Sequence, residues 1–553
     1  MICHGIAMSH GYDVPEGLPG RAFSVCGEVR RLRQLAQVSF GLVLSAFLAS
    51  GCPVKATEPS NDSLSIEKSA TPDVKGKKKA HSKIRLVSKN SSNSAIQLAQ
   101  PVEAQPMDSA ARARALDRVY GYKGWNIPFP SFADSMTQDD GHWRTTLASY
   151  GFGLSTQIIP IFESNILNTP NRVPSNAPPC QPANLNYNCA GGHSYFGQQP
   201  DGFVSNLAYL TYDMSRWGVP DGQIAAGIHY GVSTEQSYSP DTVRVFLVSW
   251  YQTLFDKRLE LKVGYFPSLT EFMGTFTGGI VTNPFGPNGF LPIVMGMSPN
   301  NISTPNFRAT WHITDELYAQ TGIQRSLPVN GPTSDPLYDE VAANAGGLDF
   351  SSSVAGTRVL YTNEFGYKSQ AAPDKPYTWF RTGLLYNSST FKDYSRILTN
   401  PTATTDGSLG FYILDDYQIW QQAPSSPLTA YRGIYLGGTF MYGSPEIAAF
   451  PQYYEARAYW LGPLDSRPQD MLSVIYSYSV ASKYVQDVAN AYSQYTSLFA
   501  NGYANSITAS YMFHLGPGIY TTVGLGYTDK PSLQYFKGEG SSLNFLFSMY
   551  LTL

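Results

Sequence analysis

Charge is scarce in this chain. Of its 553 residues only 14% are Asp, Glu, Lys or Arg, about half the fraction found in soluble globular domains. Apolar runs of about 20 residues, the length a helix needs to cross a bilayer, are missing too. The first shortage argues against a soluble enzyme and the second against a helical membrane protein. Cysteines number five and histidines eight, and the histidines form no ligand-spaced cluster, so no metal site is assigned. There is no G-x-S-x-G elbow, phosphate-binding loop or H-E-x-x-H helix. Hence no catalytic residue and no cofactor is assigned either.

What the chain has in quantity is aromatic and small. It holds 38 Tyr, 29 Phe and 49 Gly, yet its mean hydropathy is only −0.20. Sparse charge, abundant Tyr and moderate hydropathy suit a β-barrel whose outer face meets lipid and whose inner face meets water.

The net charge of −3 hides two regions. Residues 1–120 carry 16 basic and 10 acidic groups, whereas the other 433 carry 22 and 31. The acidic remainder offers no footprint for nucleic acid. Within the basic part, Arg30, Arg31 and Arg33 precede the apolar run LAQVSFGLVLSAFLASG (Leu35–Gly51). A basic segment, a short apolar core and small residues describe a secretory signal peptide. It is assigned to 1–56, with an extended start. Cleavage after Ala56 is the ordinary outcome; Ala49, Ser50, Gly51 and Cys52 also resemble a lipobox, in which Cys52 would be acylated. Residues 57–120 are rich in Ser, Asn, Lys and Ala, with Lys75, Lys77, Lys78 and Lys79 together. They read as a disordered basic periplasmic tether, a solvated linker rather than a binder of lipopolysaccharide or peptidoglycan. Ala110–Arg118 can form one short helix there.

From about residue 142 the pattern is alternation, and 121–553 is assigned to the barrel. Ile224, Ala226, Ile228, Tyr230 and Val232 share one face; Gln223, Ala225, Gly227 and His229 share the other. Phe380, Thr382, Leu384 and Tyr386 likewise oppose Arg381, Gly383 and Leu385, and the chain ends in such a stretch at Leu553. Period two means strands. A soluble sandwich would also alternate, but a dry core would not accept the Arg, Glu and Lys found on the second face. Aromatics near strand ends fit membrane girdles. Compact crossings at Phe255–Arg258, Thr314–Glu316, Leu461–Asp470 and Gly516–Gly518 alternate with long stretches at Asn165–Gly202, Ser268–Pro305, Pro328–Gly356 and Lys392–Gly407. That asymmetry predicts an all-β transmembrane antiparallel barrel of about 16 strands, with short periplasmic turns and long extracellular loops.

From about Arg216 the chain resembles the carbohydrate-selective porins of the OprB type. The resemblance rests on LFDKRLELKVGYFPSLTEFM (Leu254–Met273), NEFGYK (Asn363–Lys368), TWFRTGLLYNSSTF (Thr378–Phe391), GFYILDDYQIW (Gly410–Trp420) and RPQD (Arg467–Asp470), in that order. The region SITASYMFHL (Ser506–Leu515) departs from the family in lacking an acidic residue before its tyrosine. The resemblance implies an outer-membrane channel, homotrimeric, embedded in lipid and lipopolysaccharide, that passes monosaccharides such as glucose. A general small-solute porin is the alternative reading. An outer-membrane barrel enzyme is a weaker one, because it needs an outward Ser/His pair and His229, His312 and His514 have no evident partner.

A pore acts by constriction: polar wall groups replace the hydration that a sugar gives up, weakly enough to release it. Alternation selects Arg244, Glu260, Lys262, Arg308, Glu364 and Arg381 as pore-lining, sugar-binding candidates. Each is also readable as a wetted position or an internal ion pair. Glu271 joins them because it opens a Gly-rich stretch, with GTFTGG (Gly274–Gly279) and NPFGPNGF (Asn283–Phe290), that is expected to fold inward and narrow the bore. Cys180 and Cys189 lie in the first long loop, where export permits a disulfide. Metal binding by the pair with His193 is the weaker alternative.

Overall fold

The computed structural model describes residues 108–124, 134–169, 171–175, 190–234, 242–274, 290–299, 301–333, 335–373, 375–422, 424–426, 428–536 and 539–553. The leader, the tether as far as residue 107, and Cys52, Cys180 and Cys189 lie outside them.

Alternation becomes strand from Phe152 onward, whereas Trp143–Ser149, at the start of the stretch read as alternating from about residue 142, is helical. The strands are β1 (Phe152–Asn165), β2 (Asp201–Asp213), β3 (Gly222–Ser233), β4 (Thr242–Leu254), β5 (Leu259–Phe266), β6 (Thr304–His312), β7 (Leu317–Arg325), β8 (Val359–Ser369), β9 (Thr378–Lys392), β10 (Thr404–Gln421), β11 (Gly433–Gly443), β12 (Gln452–Leu461), β13 (Met471–Val480), β14 (Tyr503–Gly516), β15 (Ile519–Asp529) and β16 (Ser542–Thr552). Each pairs antiparallel with its neighbours in sequence, and β16 returns to β1, with Gln157 opposite Thr552 and Asn165 opposite Asn544. The 16 strands therefore form a closed barrel. Closure leaves no unpaired backbone edge, the condition for a sheet to sit in lipid.

Polarity is inverted relative to a soluble protein. Phe380, Leu384 and Tyr386 are 40%, 51% and 45% exposed, whereas Arg381 between them is 0% exposed. Large apolar side chains thus face outward and polar ones inward. The outward aromatics form two girdles: Trp250, Trp311, Tyr367, Phe380 and Trp420 toward the short turns, and Tyr230, Tyr361, Tyr386 and Tyr454 toward the long loops. Amphipathic rings favour those two depths.

The long connections gather at one end, and the short turns lie at the other with the first residue of β1 and the last of β16. One expected loop is shorter than its sequence suggested. Within Lys392–Gly407 the strands advance to leave only 393–403, and a bulge between Asp406 and Ser408 absorbs the register.

At the short-turn end two helices precede the barrel, α1 (Ser109–Tyr120) and α2 (Trp143–Ser149). The helix expected at Ala110–Arg118 is therefore present and slightly longer, so the span read as tether ends in ordered structure. Asp108 caps α1 by accepting from the Ala111 amide, and Asp139 ties α1 to α2 by accepting from Arg112 at 2.9 Å and from the Thr145 amide at 3.0 Å. In the loops, α3 (Leu269–Phe272) and α4 (Phe290–Val294) lie between β5 and β6, α5 (Pro336–Ala343) between β7 and β8, and α6 (Lys483–Thr496) between β13 and β14. Among the described residues no helix is long and apolar enough to cross a membrane.

The main apolar core is inside the barrel. Phe272, Met273, Leu291, Met295 and Met297, which flank the long β5–β6 stretch, pack against Leu360, Leu385, Tyr412, Leu414 and Met441 of the wall. Both flanks of that stretch thus turn inward; its residues 275–289 lie outside the described set.

Candidate functional site

Strand parity puts the sequence candidates on the inner face, and cross-strand register decides which of them meet. Lys262 on β5 stands directly opposite Arg308 on β6. Two cations so placed need an anion between them, and Glu271 from α3 supplies it. One Glu271 oxygen lies 2.5 Å from Lys262 Nζ and the other 2.6 Å from Arg308 Nη1. The chain of charge continues from Arg308 Nη2 to Glu260 at 2.8 Å and from Glu260 to His312 Nε2 at 2.9 Å. Four of the candidates, Glu260, Lys262, Glu271 and Arg308, are therefore one network. Its centre is closed to solvent: Lys262 and Glu271 are 0% and Arg308 is 2% exposed.

The same register builds a second cluster. Glu364 on β8 accepts from the Tyr318 hydroxyl at 2.9 Å and the Tyr412 hydroxyl at 2.6 Å. Arg381 on β9 donates through Nε to the Met273 carbonyl at 2.6 Å and lies 3.5 Å from Asp416. Its guanidinium stacks 3.5 Å from the centre of the Trp379 ring, a cation–π contact. Asp416 in turn accepts from Arg457 Nε at 2.9 Å, and Arg457 reaches Glu455 at 2.6 Å.

Arg244 belongs to neither cluster. It sits at the long-loop end of β4, 4.0 Å from Glu340 on α5, and Glu340 is itself paired with Arg325 at 2.6 Å.

Asp416, Arg457 and Glu455 were not among the sequence candidates. The alternation of Tyr453, Glu455, Arg457 and Tyr459 could have found two of them. Asp416 has an acidic neighbour, Asp415, so parity alone could not say which faces in.

The loop flanks are seated by the wall. Gln320 donates to the Glu271 carbonyl at 2.8 Å, Asn387 to the Met295 carbonyl at 2.8 Å and Gln324 to the Gly296 carbonyl at 3.0 Å. Gly322 on β7 makes room for the Phe272 ring, which a Cβ there would meet at 2.4 Å. Across the bore the wall changes character. Ser155, Ser473, Thr508, Ser510, Thr522 and Ser548 line β1 and β13–β16 with hydroxyls; Ser473 and Ser510 are hydrogen-bonded at 2.8 Å. At the long-loop end this neutral side opens into a cavity of about 460 Å³ bordered by Glu163, Tyr195, Tyr453, Ser477 and Ser506.

One wall thus carries paired charges on β5–β12 and the other neutral hydroxyls. The charges of the first wall are buried and spent largely on one another. His229 does meet a serine, Ser205 at 3.0 Å, but both are buried and face inward. His312 is engaged by Glu260. No group of three or more metal-ligating side chains occurs among the described residues.

Residues 216–542 match the model of a family described as carbohydrate-selective porin, OprB family. The chain is similar to the high-pH structure of OprB from Pseudomonas putida, with a TM-score of 0.60 at 14% identity over 76% of this chain and 98% of that one. The low-pH structure of the same protein gives 0.45 at 13% identity, with the same coverage. The outer membrane channel DcaP of Acinetobacter baumannii gives 0.38 at 9% identity, over 73% of this chain and 97% of that one. No curated protein matches the chain by sequence.

Proposed function

Because the chain belongs to the OprB family of carbohydrate-selective porins, a channel family of the bacterial outer membrane, we propose that it carries monosaccharides of the glucose type by diffusion, without catalysis. The observation that carries this reading is the two-sided lumen. Paired charges on β5–β12 face neutral hydroxyls on β13–β16, and the flanks of the β5–β6 loop project between them. A neutral solute with hydroxyls all round suits a lumen lined by hydroxyls on one side, whereas an ion finds the cations of the other side already neutralised by Glu271, Asp416 and Glu340.

The seven candidate positions serve this reading in different ways. Glu260, Lys262, Glu271 and Arg308 hold the loop flank, Glu364 and Arg381 shape the second cluster, and Arg244 borders the outer mouth. The proposal includes an export leader at 1–56 cleaved after Ala56, with acylation at Cys52 the alternative to that cleavage, a basic tether behind it and a Cys180–Cys189 disulfide. It also includes assembly as a homotrimer surrounded by lipid and lipopolysaccharide. A groove of about 550 Å³ on the outward face supports the trimer, being lined by Ala309, Ala319, Thr321 and Asn363 between large aromatics. Thr321 and Asn363 hydrogen-bond there at 2.9 Å. Small and polar side chains pointing outward favour a protein neighbour over lipid tails.

The test is liposome swelling with the full chain. Glucose is expected to enter faster than neutral solutes of equal size, and Arg381→Ala is expected to change glucose-induced block of single-channel current. Equal rates for all solutes of one size would leave a general porin instead.

A further inference from the structure

We propose that the five residues Tyr120–Gly124, which precede the barrel, are a built-in stopper of the bore and that Tyr122 is a specificity-determining residue of the pore. The inference rests on the channel reading above and adds a lumen element that no strand provides.

The segment leaves α1 at the short-turn end and crosses the inner wall strand by strand. The Thr211 hydroxyl on β2 donates to the Tyr120 carbonyl at 2.5 Å. Gln223 on β3 takes both sides of the next peptides: its amide donates to the Gly121 carbonyl at 2.9 Å and its oxygen accepts from the Lys123 amide at 3.0 Å. On β5 and β6 the cations of the charged network close over it. Lys262 donates to the Lys123 carbonyl at 3.3 Å and Arg308 to the Gly124 carbonyl at 3.4 Å. Lys262 Nζ also donates to the Tyr122 hydroxyl and stands 4.3 Å from the centre of that ring. The ring packs edge-on against Tyr209 of β2 at 5.6 Å.

Gly124 shows that the fit is close. Its φ is +111°, and a Cβ there would meet Lys262 Nζ at 2.7 Å and Glu271 at 3.0 Å.

Two consequences follow for permeation. Lys262, Glu271 and Arg308 cannot be touched by a solute while the segment is seated, since α3 covers one side and Tyr120–Gly124 the other. Tyr122, half-buried, is the side chain that the segment lays over this network, its ring against Tyr209 and its hydroxyl on Lys262. The segment, with Tyr122 on Lys262, therefore withholds the strongest hydrogen-bonding groups of the wall. Held back, those groups do not grip a sugar too tightly to release it.

Single-channel recording of the full chain in planar bilayers tests this. Tyr122→Ala is expected to raise conductance by about half or more, because a restriction sets the flow through a narrow pore. It is also expected to make glucose block the current at lower concentration, since Lys262, Glu271 and Arg308 become reachable. Tyr150→Ala is a control at the same end, where the side chain is 68% exposed, and is unchanged. If Tyr122→Ala fails to assemble, as judged by loss of heat-modifiable gel migration, Gly124→Val expels the segment by another route and is expected to give the same rise. Native conductance and native glucose block in the variant that folds would overturn the stopper. A wild-type chain that conducts nothing would instead remove the channel reading beneath it.

Discussion

Asp470, the last residue of the RPQD sequence, shows what one buried carboxylate does at the barrel rim. It accepts from Arg467 through both oxygens, from the His514 amide at 2.9 Å and from the Tyr511 hydroxyl at 2.8 Å. Burial works to raise this carboxyl, but the Arg467, His514 and Tyr511 hydrogen bonds outweigh it and hold the group below the usual aspartate range. A depressed carboxyl stabilises the fold above its unfolded value of 3.8 and gives that stability up as the pH falls through the folded value. Asp470→Asn is therefore expected to cost about 2 kcal/mol near neutral pH, the scale of charge-assisted hydrogen bonds. The deficit should shrink below pH 3.8. Denaturant unfolding in detergent micelles across that range checks it, and a deficit independent of pH would mean the carboxylate charge is not the cause.

Elements inside the bore are held by complementarity between loop and wall. The flanks of the β5–β6 stretch carry Phe272, Met273, Met295 and Met297 into the wall's apolar patch, while Glu271 bridges two wall cations. Such a stretch reads in sequence as a Gly-rich loop with one acidic residue, and nothing local says which wall it will meet. At Gly322 the contact is tight enough to test. Gly322→Val places a side chain where Phe272 Cζ lies 2.4 Å from the glycine's virtual Cβ. Overpacking of this kind costs about 1–3 kcal/mol, with Gly322→Ala expected at the lower end. Equal unfolding midpoints for the two variants and wild type would mean the flank is loosely seated.

For the whole molecule, the outward groove on β6–β10 makes the assembly testable. Thr321→Trp would fill the space between Trp311, Phe365, Leu384 and Phe411 and block a neighbouring subunit from docking there. If the proposed trimer forms through this face, native mass spectrometry in mild detergent is expected to show trimer for wild type and monomer for the variant. A trimer that persists would move the interface to another face of the barrel.

Sequence alone determined the barrel, its strand rhythm, the end that carries the long loops and the inward parity of Lys262, Arg308, Glu364 and Arg381. These are local consequences of a period-two backbone with lipid on one side and water on the other. Only tertiary structure decided that Glu271 sits between Lys262 and Arg308, that Asp416 joins Arg381 to Arg457, and that Tyr122 covers the first cluster. Those meetings depend on register across strands far apart in the chain and on a pre-barrel segment entering the closed cylinder. Neither leaves a periodic trace in the residues themselves.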